Sequence, residues 1–381
     1  MKEKKSIAIF SMHPVPYSSP FYNELYKLEK KNIVYYLDKL GIKSQYNPYF
    51  KEKTNNDNYI ISHHKHKFLL NLSKKNITGF FSRVNLSVIF YTLFNQNDYI
   101  LINGYQTLTS WLIWITSYLS RKKVIFKGET INTNKNFFKK IIIKIFLSRA
   151  SIVLYSCKGN FNFYKFIGIK NPKLLSCPSC VDYDYFEQIK SKPNKNIKTK
   201  FYKSLNAKKD EKIIIFVSKF IKRKNPLELI YALSNLNFKY KIIFAGNGPM
   251  TKIIKENCKK YNINYEITNF LDQERLSYLY SISDLYVNCS TYDASPKTLN
   301  EAVFFNVPII CPNTNIGQSN DLVIEGLNGF TYEQGNILDL SKKIQYALKI
   351  DRNKSLIINN KIINDTHPKK SALRLMRKLN D

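Results

Sequence analysis

The sequence contains no apolar run long enough to cross a membrane. The longest apolar stretch, residues 108–119, is shorter than the roughly 18–20 residues of a bilayer-spanning helix and includes polar side chains. The first ten residues lack the apolar segment and cleavage site of a secretory signal. We therefore expect a cytoplasmic protein, either in solution or bound peripherally to the inner face of the cell membrane.

Cysteine and histidine are scarce, with 6 and 5 residues among 381. Most cysteines stand singly in apolar segments, which is typical of reduced core thiols. Cys177 and Cys180 have the spacing of a redox pair, but no thioredoxin-like pattern surrounds them and no second pair completes a zinc site. His63, His64 and His66 lie among lysines without an acidic partner, which favours a solvated loop. We therefore expect no metal ion and no bound cofactor.

Acidic residues are also few: 28 against 60 lysines and arginines, which gives a net charge of +32. The excess is concentrated in residues 1–200, which carry 33 basic and 11 acidic residues. A field of this sign attracts anionic membranes, nucleic acid or phosphorylated substrates. A codon bias toward lysine, asparagine and isoleucine would produce the same excess, so the charge alone leaves both explanations open.

One basic segment, residues 73–94, has an amphipathic pattern. It combines Lys74, Lys75 and Arg83 with aromatic and aliphatic side chains, and this pattern predicts a helix. A basic, aromatic helix can lie on a membrane surface. A helix that packs on the sheet would contain the same residues, and the two interpretations are compatible.

Short apolar runs alternate with amphipathic segments along the chain, which is typical of α/β folds with parallel sheets. The alternation occurs twice, and a length of 381 residues favours two domains. We predict an α/β fold in which two Rossmann-like domains face a central cleft. The predicted parts are an N-terminal domain at residues 1–187, a lysine-rich linker at 188–210, a C-terminal domain at 211–354 and a helical tail at 355–381 that can pack back on the N-terminal domain.

Residues 285–311 are typical of a strand, a loop, a helix and a second strand. Ser295 is the expected N-cap, with Pro296 at the first helical position. In open α/β sheets, ligands bind beyond the carboxyl ends of the strands, where a helix N-terminus offers N–H groups to anions. Asp293 in the loop and Glu301 in the helix could face the two ends of a nucleotide sugar. An exposed acid and an ordinary helical glutamate would have the same spacing.

Two more loops at predicted strand ends carry suitable groups. Lys219 and Lys224 follow the strand at 213–217, and two ammonium groups there can neutralise a diphosphate. Gly246 and Gly248 let the backbone approach a ligand closely, but the third glycine of a dinucleotide fingerprint is missing. Each signal is weak alone, because a solvated basic turn is equally consistent with the lysines.

Taken in order, these motifs resemble the nucleotide-sugar domain of GT-B glycosyltransferases of group 1, also called family 4. The matching segments are Val217–Phe220 with Lys224, Ala245–Pro249, Tyr265–Asn269, Leu279–Asp284, Asp293–Ala302, Val307–Pro308 and Asn328–Phe330. In the first half the similarity is fainter and includes residues 13–21. The resemblance implies a retaining enzyme that moves a sugar from a UDP- or GDP-sugar to a glycan or lipid-linked acceptor, in cell-surface polysaccharide or lipopolysaccharide biosynthesis.

The resemblance also implies roles on the donor side. Lys219 and Lys224 would bind the diphosphate, and Asp293 would contact the donor-sugar hydroxyls. Glu301 would hold the ribose hydroxyls, because a carboxylate can accept two hydrogen bonds from a diol. The other donor-binding residues are Gly246 and Gly248 in the close-approach loop, Ile267 and Thr268 near the base, and Lys297 and Thr298 with their backbone N–H groups.

The N-terminal domain would bind the acceptor, with His13, Ser18 and Ser19 on that side. At the position where many members carry a histidine, this chain has Glu129, which joins Lys219, Lys224 and Asp293 as a catalytic candidate. Two departures from the family pattern affect the donor site. Lys219 replaces an arginine and loses its bidentate fork. Asp293 replaces a glutamate and is one methylene shorter, which leaves the donor sugar open.

Two other functional classes remain compatible with the sequence. One is a nucleotide-sugar epimerase with the same fold, which the order of the motifs opposes. The other is a basic nucleic-acid-binding protein, which the absence of a recognised binding module opposes. We therefore expect a nucleotide-sugar donor, a glycan or lipid-linked acceptor and an anionic membrane surface as partners, and no nucleic acid.

Overall fold

The structure is a computed structural model that describes residues 4–40, 45–47, 52–54, 61–74, 79–131 and 137–381. The chain divides into two compact units. Unit 1 comprises Met1–Gln45, Thr54–Val181 and Thr366–Asp381, and unit 2 comprises Tyr46–Lys53 and Asp182–Asp365. The last helix of the chain therefore belongs to unit 1.

The strands follow one another along the chain in two series. The first series is β1 (Ile7–Ser11), β2 (Ile33–Tyr36), β3 (Gln45–Asn47), β4 (Glu52–Thr54), β5 (His66–Phe68), β6 (Tyr99–Asn103), β7 (Lys123–Lys127), β8 (Ala150–Tyr155) and β9 (Leu174–Ser176). The second series is β10 (Lys212–Val217), β11 (Tyr240–Ala245), β12 (Tyr265–Ile267), β13 (Leu285–Val287), β14 (Ile309–Pro312) and β15 (Gly329–Tyr332).

The helices alternate with these strands. Those up to residue 181 are α1 (Ser19–Leu28), α2 (Val88–Leu93), α3 (Leu108–Leu119), α4 (Phe137–Ser148) and α5 (Lys158–Phe166). The later ones are α6 (Tyr183–Ser191), α7 (Lys195–Ser204), α8 (Pro226–Leu233), α9 (Thr251–Lys260), α10 (Gln273–Ile282), α11 (Lys297–Phe304), α12 (Ser319–Leu322), α13 (Ile337–Ala347), α14 (Arg352–Thr366) and α15 (Pro368–Asn380). Among the described residues, no helix combines the length and apolar character needed to span a bilayer.

Unit 1 is built on a parallel sheet of seven strands in the order β5-β2-β1-β6-β7-β8-β9. Its central strands are apolar on both faces, and every residue of Ile7–Ser11 is buried. A parallel sheet covered by helices requires this pattern, because neither face meets water. The chain runs from β1 outward to β5 and then crosses back to β6. The switch point of the sheet therefore lies between β1 and β6.

Unit 2 is built on a parallel sheet of six strands in the order β12-β11-β10-β13-β14-β15. Its switch point lies between β10 and β13, so the loops after these two strands flank the crevice where ligands bind in such sheets. The two parallel sheets, each alternating with helices, confirm the predicted α/β class. A separate two-stranded sheet pairs β3 with β4.

The single helix predicted over residues 73–94 is wrong. Residues 75–78 lie outside the described residues; in the rest, Phe80–Ser82 is a 3-10 turn and the α-helix covers only Val88–Leu93. Between them, the buried Asn85 amide donates hydrogen bonds to the carbonyls of Leu37 and Leu70, at 2.8 and 2.9 Å. A side-chain amide that holds two distant strand-end loops fixes the backbone in a non-helical path.

The lysine-rich residues 188–210 contain the end of α6 and all of α7. Phe201 and Leu205 are four residues apart and are 7% and 0% exposed, within a core cluster of unit 2 that also contains Ile215 and Tyr278. Two apolar residues at helical spacing are enough to anchor one face, while the lysines remain on the other. This segment is therefore packed as part of unit 2.

The C-terminal helix α15 packs on α1 within unit 1. Leu375 is 1% exposed and lies in a cluster with Phe21, Tyr22 and Leu25. Leu375→Ala should therefore lower the free energy of unfolding of unit 1 by about 2–5 kcal/mol, measured by urea denaturation. Lys378→Ala, on the exposed face of the same helix, should change it by no more than about 0.5 kcal/mol. Equal effects of the two substitutions would show that α15 is not part of the core.

Candidate functional site

The predicted donor-side residues of unit 2 follow four neighbouring strands. Thr268 follows β12, Gly246 follows β11, Lys219 follows β10, and Asp293 lies in the loop after β13. Because these strands are parallel and adjacent in the sheet, their carboxyl ends form one continuous row. We call this row the carboxyl edge of unit 2.

Two loops of this edge are locked together by charged groups. The Lys224 ammonium donates a hydrogen bond to the Asp293 carboxylate, and these side chains are only 13% and 15% exposed. Next to them, Arg223 Nη1 donates to the Tyr292 carbonyl at 2.5 Å, and the Thr291 N–H donates to the Arg223 carbonyl at 2.9 Å. Charge-assisted hydrogen bonds of this kind stabilise the contact between two loops and also fix their relative orientation. The loop after β10 and the loop after β13 therefore form one structure at the switch point.

Lys219 experiences this concentration of positive charge. Partial burial lowers the pKa of its ammonium group, and the charges of Lys224 and Arg223 lower it further. A bound anion would reverse the second effect, since an opposite charge favours the protonated form. The positive charges in this loop therefore favour the binding of an anion.

The glycine loop after β11 packs directly against the Lys219 loop. A Cβ atom at Gly246 would lie 1.9 Å from the Ser218 carbonyl oxygen, and one at Gly248 would lie 2.5 Å from the Phe220 carbonyl oxygen. Both glycines also have positive φ values, of 148° and 159°. The Phe220 N–H donates to the Asn247 carbonyl at 3.0 Å. These glycines thus let two backbone segments touch at the edge of the sheet.

Helix α11 begins at Lys297, with Pro296 and not Ser295 at the N-cap position. The predicted capping by Ser295 is wrong, because its hydroxyl accepts a hydrogen bond from Lys297 Nζ at 2.6 Å and no side chain caps the helix. Thr298 Oγ1 accepts a hydrogen bond from the Tyr286 hydroxyl at 2.6 Å. The first backbone N–H groups of α11 therefore lie beside the Asp293 loop without a side-chain cap from the described residues.

Glu301 lies one turn further along α11. Its Oε2 atom accepts a hydrogen bond from the Tyr280 hydroxyl at 2.9 Å. Burial raises the pKa of this carboxyl group to about 7, although the Tyr280 hydrogen bond acts in the opposite direction. A carboxyl group held half-ionised near neutral pH is typical of functional sites, where a ligand supplies the missing hydrogen bonds.

Ile267 and Thr268 end the adjacent strand. The Thr268 N–H donates to the Phe244 carbonyl at 3.1 Å, while the buried Thr268 hydroxyl has no hydrogen-bond partner among the described residues. Both residues line a pocket of about 320 Å³ that also contacts Phe270 and Arg275. A buried hydroxyl without a partner is unusual, and a polar group of a bound ligand would satisfy it.

In unit 1, His13 follows β1, and its Nδ1 atom is buried without a hydrogen-bond partner in the described structure. Burial and the Arg83 charge lower the pKa of His13, and the Asp38 charge raises it. Arg83 Nε lies 3.5 Å from an Asp38 carboxylate oxygen. Ser19 is buried and its hydroxyl donates to the Val15 carbonyl at 3.2 Å, so its hydrogen bond serves the turn into α1.

The neighbouring Ser18 precedes α1 in the N-cap position, and its side chain does not cap the helix. It lies in the same loop as His13. Glu129 follows β7, two strands away across the same sheet. The carboxyl ends of the unit 1 strands form a corresponding edge, which we call the carboxyl edge of unit 1. The four predicted residues of this unit all lie in, or next to, loops at this edge: His13, Ser18, Ser19 and Glu129.

Glu129 Oε1 accepts a hydrogen bond from the Ser179 hydroxyl at 2.7 Å. Burial and then the Glu129 charge raise the pKa of Tyr17 to about 12. Burial lowers the pKa of Lys127, but its neighbours, first Cys177 and then Tyr22 and Glu129, raise it overall. The carboxylate therefore lies within electrostatic reach of two tyrosines, Tyr17 and Tyr164, and of the half-buried Lys127.

Several residues at these edges are absent from the sequence-based set. Arg223 adjoins Lys224 in a basic run after a predicted strand, so the sequence pattern could have identified it as a site residue. Tyr280 orients Glu301 from 21 residues away. Arg83 and Asp38 meet beside His13 from distant segments. Tertiary pairs of this kind leave no local pattern in a single sequence.

Metal-type side chains do not cluster in the part of the chain that the structure describes. No three histidine, cysteine, aspartate or glutamate residues there come close enough to hold an ion. The six cysteines are buried thiols, and Cys177 and Cys180 are 2% and 3% exposed.

Residues 197–363, which include every predicted donor-side residue, match the family model for glycosyl transferases group 1. The uncharacterized glycosyltransferase MJ1059 of Methanocaldococcus jannaschii is 24% identical over 266 residues, which are 64% of this chain and 60% of that protein. The putative teichuronic acid biosynthesis glycosyltransferase TuaC of Bacillus subtilis is 26% identical over 34% of this chain and 31% of its own length. The chain thus spans about a third to three fifths of these curated relatives.

Solved structures resemble the whole chain. Anabaena Alr3699/HepE in complex with UDP has a TM-score of 0.73 at 13% identity and covers 99% of both chains. The lipopolysaccharide outer core galactosyltransferase WaaB scores 0.65 at 14% identity, covering 97% of this chain and 99% of its own. A putative UDP-N-acetylglucosamine 2-epimerase from Listeria monocytogenes scores 0.64 at 12% identity, with 98% and 95% covered. At these identities the likeness establishes the fold.

The sequence resemblance is therefore confirmed. Residues 197–363 form a group 1 glycosyltransferase domain, and the chain as a whole has the GT-B fold.

Glu301→Gln keeps an acceptor for the Tyr280 hydroxyl and removes the titration. Because the pKa rises from 4.5 to about 7 on folding, the ionised carboxylate destabilises the folded protein progressively as the pH passes from about 4.5 to 7. The ligand-free variant should therefore melt above the wild type at pH 8, by about 2–4 °C for each kcal/mol relieved, and this difference should shrink toward pH 5. Differential scanning calorimetry at the two pH values measures it.

Glu256→Gln, at an exposed position of α9, is the matched control and should show no pH-dependent difference. A Glu301→Gln effect of the same size at pH 5 and pH 8 would contradict the raised pKa.

Proposed function

We propose that this group 1 glycosyltransferase moves a sugar from a nucleotide diphosphate sugar to a glycan or lipid-linked acceptor, with retention of the anomeric configuration. The observation that carries the proposal is the carboxyl edge of unit 2. Along it stand a buried hydroxyl, a glycine loop, a cationic loop and a helix N-terminus with a carboxylate one turn further on. Base, diphosphate, sugar and ribose groups each find complementary chemistry there.

The central chemical demand is the departure of a nucleoside diphosphate. Negative charge develops on its phosphate as the sugar–phosphate bond breaks, and preorganised positive charge stabilises that transition state. Lys219 and Lys224 supply such charge, and Lys224 is held in position by Asp293. Asp293 would in turn contact the donor-sugar hydroxyls beside the Lys297 end of α11. In this mechanism the chain's own ammonium groups neutralise the leaving group, and no metal ion is expected.

The nucleoside would contact residues on both sides of the loop after β10, which carries Lys219 and Lys224. Glu301 would accept hydrogen bonds from the ribose diol, and Thr268 with Ile267 would contact the base. UDP is the favoured nucleotide, because HepE structures with this fold hold UDP and UDP-glucose. A GDP-sugar remains the alternative donor, and the sugar itself is set by contacts that include the shortened Asp293 side chain.

The acceptor would bind unit 1, where His13 has an unsatisfied buried nitrogen and Glu129 stands at the end of β7. Two similar proteins are named for surface polymers, TuaC for teichuronic acid and WaaB for lipopolysaccharide. These names support a role in cell-surface polysaccharide or lipopolysaccharide biosynthesis. The shared fold also includes a putative epimerase, but the group 1 match over the donor half favours transfer. Incubation with donor and no acceptor should yield no epimerised nucleotide sugar.

A cytoplasmic location on the inner face of the membrane fits the surface of unit 1. Helix α4 is apolar on both sides: Ile143 and Phe146 are buried, whereas Phe138 and Ile145 are 73% and 50% exposed. Lysines are interleaved with the exposed residues of α4. Exposed apolar side chains among cations are typical of surfaces that rest on anionic lipid.

The donor proposal predicts that one nucleoside diphosphate stabilises the protein. At about 100 times its dissociation constant, such a ligand stabilises the folded state by roughly 2.7 kcal/mol. In a thermal-shift screen of UDP, GDP, CDP and ADP, we expect UDP to raise the melting temperature most. Glu301→Ala should abolish the shift, whereas Glu256→Ala should leave it intact. Failure of all four nucleotides to stabilise the wild type would contradict the proposal.

The membrane proposal predicts salt-sensitive binding to phosphatidylglycerol vesicles in a sedimentation assay, with little binding to phosphatidylcholine. Each lysine near an anionic surface contributes about 1 kcal/mol, so Lys140→Gln with Lys144→Gln should weaken binding about thirtyfold. Lys252→Gln with Lys259→Gln removes the same charge from α9 in unit 2 and should have a much smaller effect. Equal losses would mean that net charge alone drives the binding.

A further inference from the structure

A pocket of about 670 Å³ lies in unit 1 between the turn at Phe80–Ser82 and helices α3 and α4. Its volume falls within the roughly 300–1,000 Å³ of small-molecule sites. Its lining consists of Phe80, Tyr105, Gln106, Trp111, Lys139, Ile142 and Ile143. The walls are thus mostly aromatic and aliphatic, with one ammonium group and one side-chain amide among them.

The pocket reaches the part of unit 1 where the acceptor is expected. Tyr105 comes two residues after β6, and its hydroxyl lies 3.4 Å from Thr130 Oγ1. Thr130 directly follows Glu129 in the loop after β7. The pocket therefore adjoins the carboxyl edge of unit 1 beside a catalytic candidate.

The aromatic wall is a fixed feature of the fold. Trp111 Nε1 donates a hydrogen bond to the Tyr105 carbonyl at 3.0 Å, so its polar group is satisfied within the protein. Its ring packs edge-on against Phe146, with ring centres 4.9 Å apart, and Phe146 is 1% exposed. The indole ring consequently serves as a preformed apolar surface toward the pocket.

This lining distinguishes between acceptor classes. A free glycan presents many hydroxyl groups, and one amide and one ammonium group leave most of them without partners against the aromatic and aliphatic walls, which is costly. A hydrocarbon chain gains by the same burial, and an ammonium group at the wall complements a phosphate. Outside the pocket, the exposed apolar side chains of α4 continue the apolar surface toward solvent.

We infer that this pocket holds the first part of the hydrocarbon chain of a lipid-linked acceptor, with Lys139 facing the phosphate that joins lipid and sugar. The inference rests on the proposed function and narrows it from a glycan or lipid-linked acceptor to a lipid-linked one. It assigns acceptor recognition to the β6–α3 region and α4 of unit 1.

Decyl phosphate, below its micelle concentration, is the probe. The chain contains two tryptophans, so Trp114→Phe leaves Trp111 as the sole reporter. We expect saturable changes in its fluorescence with decyl phosphate, at least tenfold weaker binding of decanol, and none of inorganic phosphate. Octyl phosphate, two methylenes shorter, should bind about tenfold more weakly. Absence of saturable binding of decyl phosphate would overturn the inference.

Two matched pairs on α4, each made in the Trp114→Phe background, separate the pocket from the open surface. Ile142 lines the pocket and Ile145 does not, although they are 47% and 50% exposed. Ile142→Ser should weaken decyl phosphate binding at least tenfold and Ile145→Ser less than twofold. Lys139→Gln should remove the preference for the phosphate over decanol, and Lys140→Gln should keep it. Equal effects within either pair would overturn the inference, because they indicate adsorption to the exposed face.

UDP binding to the same proteins distinguishes this inference from the function on which it rests. UDP binding without decyl phosphate binding overturns the lipid-linked acceptor and leaves sugar transfer standing. Decyl phosphate binding with the pocket-specific losses supports the pocket, and it does so independently of the nucleotide result.

Discussion

The concentration of positive charge at the end of β10 is the constraint on which unit 2 depends. Lys219, Arg223 and Lys224 fall within six residues, and like charges so close together disfavour one another. The Asp293 carboxylate and the Tyr292 carbonyl compensate two of them. This compensation holds the loop after β13 against the loop after β10 at the switch point of the sheet. Burial, and then the charges of Lys224 and Arg223, lower the pKa of Lys219, and a bound diphosphate would offset this concentration of positive charge.

Other residues along the carboxyl edge of unit 2 support the same arrangement of loops but lower the stability of the folded protein. Gly246 and Gly248 allow the adjacent loop to touch the cationic one, where any side chain would collide with backbone. Glu301 is kept in a site that raises its pKa to about 7, so the folded protein carries a partly ionised, half-buried carboxylate. Strain and desolvation of this kind are common where a ligand later supplies the compensating contacts. Unit 1 shows the same feature at His13, whose buried Nδ1 has no partner in the described structure.

Much of this architecture could be predicted from the sequence, because apolar runs mark buried parallel strands and the residues after them mark the ligand edge. That logic selected Lys219, Gly246 and Asp293, and the structure places all three along one edge. Local reasoning failed where a distant partner decides the backbone. The Asn85 amide breaks the helix expected over residues 73–94, and Lys297 engages the hydroxyl of Ser295. Pairs such as Lys224 with Asp293, 69 residues apart, required the tertiary structure.

The most direct test of the account is a calorimetric comparison of UDP and UMP binding. A β-phosphate adds hydrogen bonds to charged groups, worth about 1.5–3 kcal/mol each, so UDP should bind the wild type at least tenfold more tightly than UMP. Lys219→Gln should remove most of that preference, whereas Lys222→Gln, an exposed lysine of the same loop, should preserve it. Equal affinities for UDP and UMP, or equal losses in the two variants, would contradict a diphosphate site built on the end of β10.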